Sequence, residues 1–221
     1  MNILITGTSK GIGRSVAEKF LNEGHIVFGI DLENSTIDNK NYFHYICDIK
    51  NKDKLPSIDK TIDILINNAG LQNSENDIEN NLLGSIYVTE KYGIQDNIKS
   101  ILFNVSASAQ TGFEFPMYVA SKSGLIGYMR NVAVRVAKFK ATCNSISLGG
   151  VLTDSNDCII NNKELWEEVM NVTPLKKWLT LDEVSEWMYF LTVVNKSLTG
   201  QDILIDNGEN DLNNTFVWPK K

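Results

Sequence analysis

A single-domain α/β fold built on a parallel sheet is what this sequence predicts, on three observations. Short apolar runs alternate with longer amphipathic stretches, as when strands buried on both faces are joined by helices. The first apolar run leads straight into a glycine-rich turn and then a helical pattern. The four prolines and 15 glycines are scattered, with no linker, repeat or low-complexity segment to divide the chain. At 221 residues it is long enough for one large core.

The elements follow in order. Asn2–Ile5 is the first strand and Gly13–Glu23 the first helix, with Gly24 suited to a left-handed stop. Ile26–Ile30, His44–Ile46 and Ile62–Ile66 are the next apolar runs. A helix over Ile78–Tyr92 precedes the strand Ser100–Asn104. A long helix over Tyr118–Lys138 precedes the strand Ala141–Ile146. Helices over Asn162–Asn171 and Leu181–Val194 then lead to the last strand, Ile203–Ile205. Thr180-Leu181-Asp182-Glu183 is a capping box, with Thr180 as N-cap and Glu183 three residues on. Residues 1–208 are expected to form the domain and residues 209–221 a polar tail, in which Phe216 and Trp218 are candidate anchors.

Composition narrows the class. The formal net charge is -6, and the arginines are Arg14, Arg130 and Arg135, so neither a nucleic-acid backbone nor an anionic membrane surface is an expected partner. No stretch approaches the roughly 20 apolar residues of a membrane span. The N-terminus lacks a cationic start and a long apolar run, so no signal peptide is expected. Cys47, Cys143 and Cys158 are odd in number and lack paired spacing, which fits free thiols in a reducing compartment. Two histidines, His25 and His44, cannot build a histidine-rich metal site, and no metal is expected. The chain reads as cytoplasmic.

The turn after the first strand is Thr6-Gly7-Thr8-Ser9-Lys10-Gly11-Ile12-Gly13. Glycines there permit a tight turn and close approach of the backbone to a pyrophosphate, and the start of the following helix favours anions. Gly7, Ser9, Lys10, Gly11, Ile12 and Gly13 are therefore candidate cofactor contacts. Asp31, about 20 residues on, sits where a carboxylate accepts hydrogen bonds from ribose hydroxyls and repels a 2′-phosphate. Lys10 pulls the other way, since a cation there can pair with that phosphate. The carboxylate lies nearer the ribose, so the balance favours NAD over NADP.

Tyr118 and Lys122 are spaced i, i+4 and share one helix face. A phenol titrates near pH 10, and an adjacent ammonium favours its phenolate and lowers that value. Such a pair can protonate a carbonyl oxygen or deprotonate an alcohol.

Together, Thr6-Gly7-x-x-x-Gly11-Ile12-Gly13, Asn67-Asn68-Ala69-Gly70 and Tyr118-x-x-x-Lys122, in this order, resemble the short-chain dehydrogenase/reductase family of the single-domain type. Ser147-Leu148-Gly149-Gly150-Val151-Leu152-Thr153 resembles that family's nicotinamide loop, and Thr173-Pro174-Leu175 and the segment Leu198 to Gly208 its C-terminal signatures. The resemblance covers residues 1 to about 208. It implies a Rossmann-type, doubly wound sheet of about seven parallel strands flanked by helices. It also implies that Asp48 contacts adenine, with Ile49 following it, and that Asn67, Ala69 and Gly70 pass the adenosine ribose. Val151 would make a backbone contact to the carboxamide, and Thr153 would touch the cofactor amide or phosphate. Asn81 matches the residue that organises a relay water near the lysine. Aligned on Gly112-Phe113, Ser106 takes the catalytic serine position; aligned on Asn104-Val105, Ala107 falls there with Ser106 and Ser108 either side.

This chain departs from the family pattern in places. The connection Lys50–Thr61 is short for the helix usual there, Leu71–Asp77 is clipped, and Leu148 stands where a proline is usual. The resulting expectation is an NAD(H)-dependent oxidoreductase interconverting an alcohol and a carbonyl, with Asn81, Ser106, Tyr118 and Lys122 as its catalytic set. Two alternatives are an NADPH-dependent 3-oxoacyl carrier-protein reductase and a catalytically weak dinucleotide-binding regulator. The substrate pocket is expected between Phe113–Met117 and Asp154–Val172, with Trp166 and Met170 either lining it or packing. The resemblance further implies a homodimer or homotetramer. Leu125, Met129, Val132 and Val136 form a stripe that would suit either a subunit interface or the core.

Overall fold

The computed structural model describes residues 1–113, 115–210 and 212. Phe216, Trp218 and most of the expected tail lie outside the described residues. The strands are β1 (Asn2–Thr6), β2 (Ile26–Asp31), β3 (Tyr42–Ile46), β4 (Ile64–Asn67), β5 (Ser100–Asn104), β6 (Thr142–Leu148) and β7 (Asp202–Ile205). The helices are α1 (Gly11–Asn22), α2 (Ser85–Tyr92), α3 (Ser108–Thr111), α4 (Pro116–Val136), α5 (Asp157–Ile160), α6 (Lys163–Val172) and α7 (Leu181–Tyr189). All strand pairs are parallel, in the order β3-β2-β1-β4-β5-β6-β7. This is a Rossmann-type, doubly wound, single-domain sheet, as expected.

Period-2 alternation divides the central strands between two apolar layers. Ile3, Ile5, Ile64 and Ile66 face Val16 and Phe20 of α1 and Val184 and Met188 of α7. Leu4, Leu65, Ile101 and Phe103 face Val88 of α2 and Leu125, Met129, Val132 and Val136 of α4. The stripe on α4 is therefore core. Its four residues are at most 1% exposed, so no subunit interface needs to explain it.

Helix ends follow the sequence signals. Gly24 has φ 79°, the left-handed stop after α1. At α7, Thr180 Oγ1 accepts from Glu183 N–H while the Glu183 carboxylate accepts from Thr180 N–H. Two expected long helices are interrupted. Ile78–Gly84 is a π-helical turn before α2, and Phe190–Val194 is another after α7. Apolar periodicity cannot separate these from α-helix, because the inserted residue changes which side chains face inward without breaking the apolar run. The four-residue helices α3 and α5 were not expected, being too short for a periodic signal.

Between β3 and β4 the structure has a single 3₁₀ turn, Lys52–Lys54, and no helix, as the short connection implied. Leu55 and Ile62 are buried there, and Lys91 Nζ donates to Leu55 O and Tyr92 Oη to Pro56 O. Side chains of α2 thus close the gap. β4 begins two residues after the start of the apolar run, and Ile62 is buried in the core ahead of the ladder. β6 runs on to Leu148, paired with Ile205.

Candidate active site

The carboxyl ends of β1, β4, β5 and β6 share one edge of the sheet, with strand order reversing at β1 and β4. Open α/β sheets bind ligands at that edge. The loop leaving β1 can adopt its path because of glycines. Gly7 has φ 76°, and a Cβ there would lie 2.9 Å from Ala69 Cα. A Cβ on Gly13 would fall 1.9 Å from Gly7 O, so α1 packs directly on the turn. Gly11 has φ 54°, and nothing lies within 4 Å of where its Cβ would be. The loop is thus closed on its inner side and open on its outer side. Lys10 is the N-cap of α1, its side chain caps none of the first N–H groups, and the first turn carries no acid. A helix start with uncapped N–H groups and no acid in its first turn suits a phosphate.

A residue the sequence reading passed over ties this loop to the sheet. Asn68 Nδ2 donates to Thr6 O at 3.0 Å and to Gly7 O at 3.2 Å. Its Oδ1 accepts from Asn104 Nδ2 at 2.9 Å, and Thr6 Oγ1 accepts from Asn68 N–H and Ala69 N–H, both at 3.0 Å. The doubled asparagine in Asn67-Asn68 was the available signal. Asn67 is buried and donates to Thr89 Oγ1 at 2.9 Å, tying the end of β4 to α2.

At the end of β2, Asp31 Oδ2 accepts from Ser9 N–H at 2.9 Å and Oδ1 from Glu33 N–H at 3.0 Å. Lys10 Nζ lies 2.6 Å from Glu33 Oε1. That hydrogen-bonded pair raises the lysine's pKa, the adjacent charge adding to the effect. Asp48 Oδ1 accepts from Lys50 N–H at 3.0 Å. Ile49 is buried against the π turn, where a Cβ on Gly84 would come 2.7 Å from its Cγ1.

Tyr118 and Lys122 stand one turn apart on α4, with Lys122 Nζ 5.6 Å from the centroid of the Tyr118 ring. Lys122 is 4% exposed, and its Nζ donates to Asn104 O at 2.9 Å. Burial pulls its pKa down to about 8, against an opposing pull from the Asp77 carboxylate. Gly70 lies against the same group, since a Cβ there would sit 3.3 Å from Asn81 Oδ1 and 3.4 Å from Lys122 Nζ.

Asn81, in the π turn, is fully buried. Its Oδ1 accepts from Leu71 N–H at 2.7 Å, and its Nδ2 donates to Leu71 O at 2.9 Å and to Ser121 Oγ at 3.1 Å. Ser121 Oγ donates in turn to Tyr118 O at 2.7 Å. The π turn, the segment after Gly70 and the Tyr118 turn of α4 are locked together by this one amide. Ser121 was not singled out in the sequence, where it is simply one of the three residues between Tyr118 and Lys122.

Ser106 follows β5 two residues after Asn104, the Lys122 partner. Its Oγ is 2.9 Å from Ser108 Oγ and accepts from Ser108 N–H at 3.2 Å. On the β6 side, the chain after Leu148 passes Gly149 and Gly150; a Cβ on Gly150 would lie 2.1 Å from Trp178. Val151 is buried and bridges Leu179, and its carbonyl accepts from Asn156 Nδ2 at 2.8 Å. Thr153 precedes the turn Asp154–Asn156. Trp166 of α6 meets Trp178 edge-on, with centroids 5.2 Å apart, so it packs on the scaffold beneath that loop.

Residues 7–210 match a family model described as enoyl-(acyl carrier protein) reductase. The chain belongs to the short-chain dehydrogenase/reductase family. The 3-oxoacyl-[acyl-carrier-protein] reductase FabG of Buchnera aphidicola subsp. Acyrthosiphon pisum is 29% identical over 233 residues, covering 92% of this chain and 95% of the relative. The 2-dehydro-3-deoxy-D-gluconate 5-dehydrogenase of Escherichia coli is 25% identical over 236 residues, covering 93% of each. Among solved structures, a 4-hydroxyisoleucine dehydrogenase complexed with NADH superposes with a TM-score of 0.81 at 26% identity, covering 96% of this chain and 99% of that one. This short-chain dehydrogenase/reductase is accordingly an NAD(P)-dependent oxidoreductase. Among its described residues, no helix is long and apolar enough to cross a membrane, and no group of three His, Cys, Asp or Glu could hold a metal ion.

Proposed function

We propose that this short-chain dehydrogenase/reductase interconverts a small-molecule alcohol and its carbonyl with NAD(H), using Tyr118 as general acid and base. The observation that carries the reading is the buried Lys122 ammonium set against the Tyr118 ring at the sheet edge that also bears the glycine loop. Bound nicotinamide would supply or accept the hydride; the chain's own residues handle the proton and the geometry. Tyr118 Oη donates a proton to the carbonyl oxygen in reduction and takes it back in oxidation. Lys122 favours the phenolate electrostatically and is the candidate partner of the nicotinamide ribose. Ser106 orients the substrate oxygen. Asn81 acts as a positioning residue, since both ends of its side chain are engaged by Leu71 and Ser121.

The uncapped start of α1 and the open side of Gly11 suit the pyrophosphate, with Gly7, Ser9, Lys10, Ile12 and Gly13 around it. Asp31 suits the adenosine ribose hydroxyls, Asp48 and Ile49 the adenine, and Asn67, Ala69 and Gly70 the passage between. Val151 and Thr153 belong to the nicotinamide end. We take residues 1–208 as the catalytic domain of a cytoplasmic homodimer or homotetramer. NADPH-dependent 3-oxoacyl carrier-protein reduction is the second reading, favoured by the FabG relatives.

The test is a carbonyl and alcohol screen with NADH and NADPH on the wild type and on Tyr118→Phe. Turnover in the wild type, reduced at least a hundredfold in Tyr118→Phe with cofactor still bound, is the expected result. Inactivity of both proteins across the panel would favour the regulator alternative. In the same assay Ser106→Ala is expected to lose roughly a hundredfold in rate, and Ser108→Ala much less.

A further inference from the structure

Glu33, two residues past Asp31 at the adenosine end of the site, is held through its backbone. Three groups fix its backbone. Its N–H donates to Asp31 Oδ1 at 3.0 Å, and its carbonyl meets Ser9 Oγ at 3.3 Å and His44 Nε2 at 2.8 Å. A carbonyl can only accept, so Nε2 carries the proton; in a neutral ring Nδ1 is then the acceptor. Tyr42 Oη, 2.8 Å from His44 Nδ1, donates to it and accepts from Thr8 Oγ1 at 2.8 Å. A Cβ on Gly29 would collide with both hydroxyls, at 2.2 Å from Tyr42 Oη and 2.4 Å from Thr8 Oγ1. The relay from Thr8 to Glu33 therefore depends on that glycine in β2.

From this fixed backbone the Glu33 carboxylate reaches Lys10, with Nζ and Oε1 2.6 Å apart in a largely exposed pair. Charge counting then decides what this corner accepts. Lys10 contributes one positive charge, and Asp31 and Glu33 contribute one negative charge each, so the corner is net negative. Ribose hydroxyls donate well to such a surface; a dianionic 2′-phosphate is repelled by it.

We infer that Glu33 is a specificity-determining residue, which silences Lys10 as a phosphate partner and thereby sets the preference for NAD(H) over NADP(H). This rests on the proposed NAD(H) reading and adds to it a cause separate from Asp31. An exposed ion pair adds little to stability, so neutralising Glu33 should leave the fold intact and act on cofactor choice.

The experiment is direct titration of the full-length protein with NADH and NADPH, read by nicotinamide fluorescence, for the wild type, Glu33→Gln, Lys10→Met and the double variant. Melting temperatures provide the folding control. The expected result is tighter binding of NADH by the wild type and a roughly tenfold gain in relative NADPH affinity in Glu33→Gln. Most of that gain should be lost when Glu33→Gln is made on Lys10→Met, because it needs the released Lys10 cation and only the relief of Glu33's own repulsion remains. A wild type preferring NADH, with an unchanged NADPH/NADH ratio in Glu33→Gln, would overturn the inference and leave the NAD(H) reading standing. A gain of the same size on Lys10→Met would also overturn it, since Glu33 would then act by its own charge alone. A wild type that prefers NADPH would overturn both.

Discussion

Lys122 concentrates the chemistry of this protein in one side chain. Its ammonium is buried, is bonded to a backbone carbonyl and lies beside a phenol, with its pKa lowered from 10.5 to about 8 by loss of solvent. The linkage has a definite sign. Below pH 8 the lysine is protonated in both the folded and unfolded chain, and stability does not change with pH through this group. Between about 8 and 10.5 the unfolded chain holds a proton that the folded one has released, so stability rises with pH. Relative to Lys122→Met, the cofactor-free wild type should gain about 2 to 3 kcal/mol between pH 7 and pH 10, measured by paired denaturant titrations. Parallel pH profiles for the two proteins would show that the ammonium is not strained by burial. The i, i+4 spacing was legible in the sequence, but the burial that perturbs Lys122 was not, because it comes from β5 and the π turn.

At the scale of elements, the glycine loop makes a sharp contrast testable. Gly11 and Gly13 look alike in the sequence, yet a Cβ meets nothing at Gly11 and lies 1.9 Å from Gly7 O at Gly13. Gly11→Ala should fold and lose about 1 to 2 kcal/mol through its left-handed backbone. Gly13→Ala should push α1 off the turn and abolish dinucleotide binding. Thermal melts and cofactor titration of the two variants check this, and equal effects would mean that the helix does not pack on the turn. Helix starts and stops were legible because caps are local: Thr180 with Glu183, and Gly24. The π turn over Ile78–Gly84 was not, because it is held by Asn81 bonding to Leu71 and Ser121, partners ten and forty residues away.

For the whole molecule, the candidate site is an edge where four strands end, and each strand comes from a distant part of the chain. A dinucleotide bridging the β1 loop, the Asn67–Gly70 segment and the Tyr118–Lys122 turn would bind only the assembled sheet. Binding would then stabilise the fold by mass action. At an NADH concentration of about 100 times its dissociation constant, the stabilisation is roughly 2.7 kcal/mol, a rise of about 5 to 10 °C in melting temperature for a chain of this size. Differential scanning calorimetry with and without NADH measures it. An unchanged melting temperature at saturation would mean that the cofactor does not bridge these segments.

The seven strands, the position of the longer helices, strand parallelism and the ordered motifs came from the sequence by itself, because apolar period, caps and glycine turns are short-range properties of the chain. The tertiary structure decided what lies between distant residues. It assigned the α4 stripe of Leu125, Met129, Val132 and Val136 to the core, which periodicity alone could not do, since a core face and a subunit face bury the same side chains. It set Asn68 between the glycine loop and Asn104, and committed both ends of the Asn81 side chain to Leu71 and Ser121. It also brought Glu33 onto Lys10. Each of these depends on which side chains meet after strands from separate parts of the chain are brought into register, and that is a property of the packed sheet.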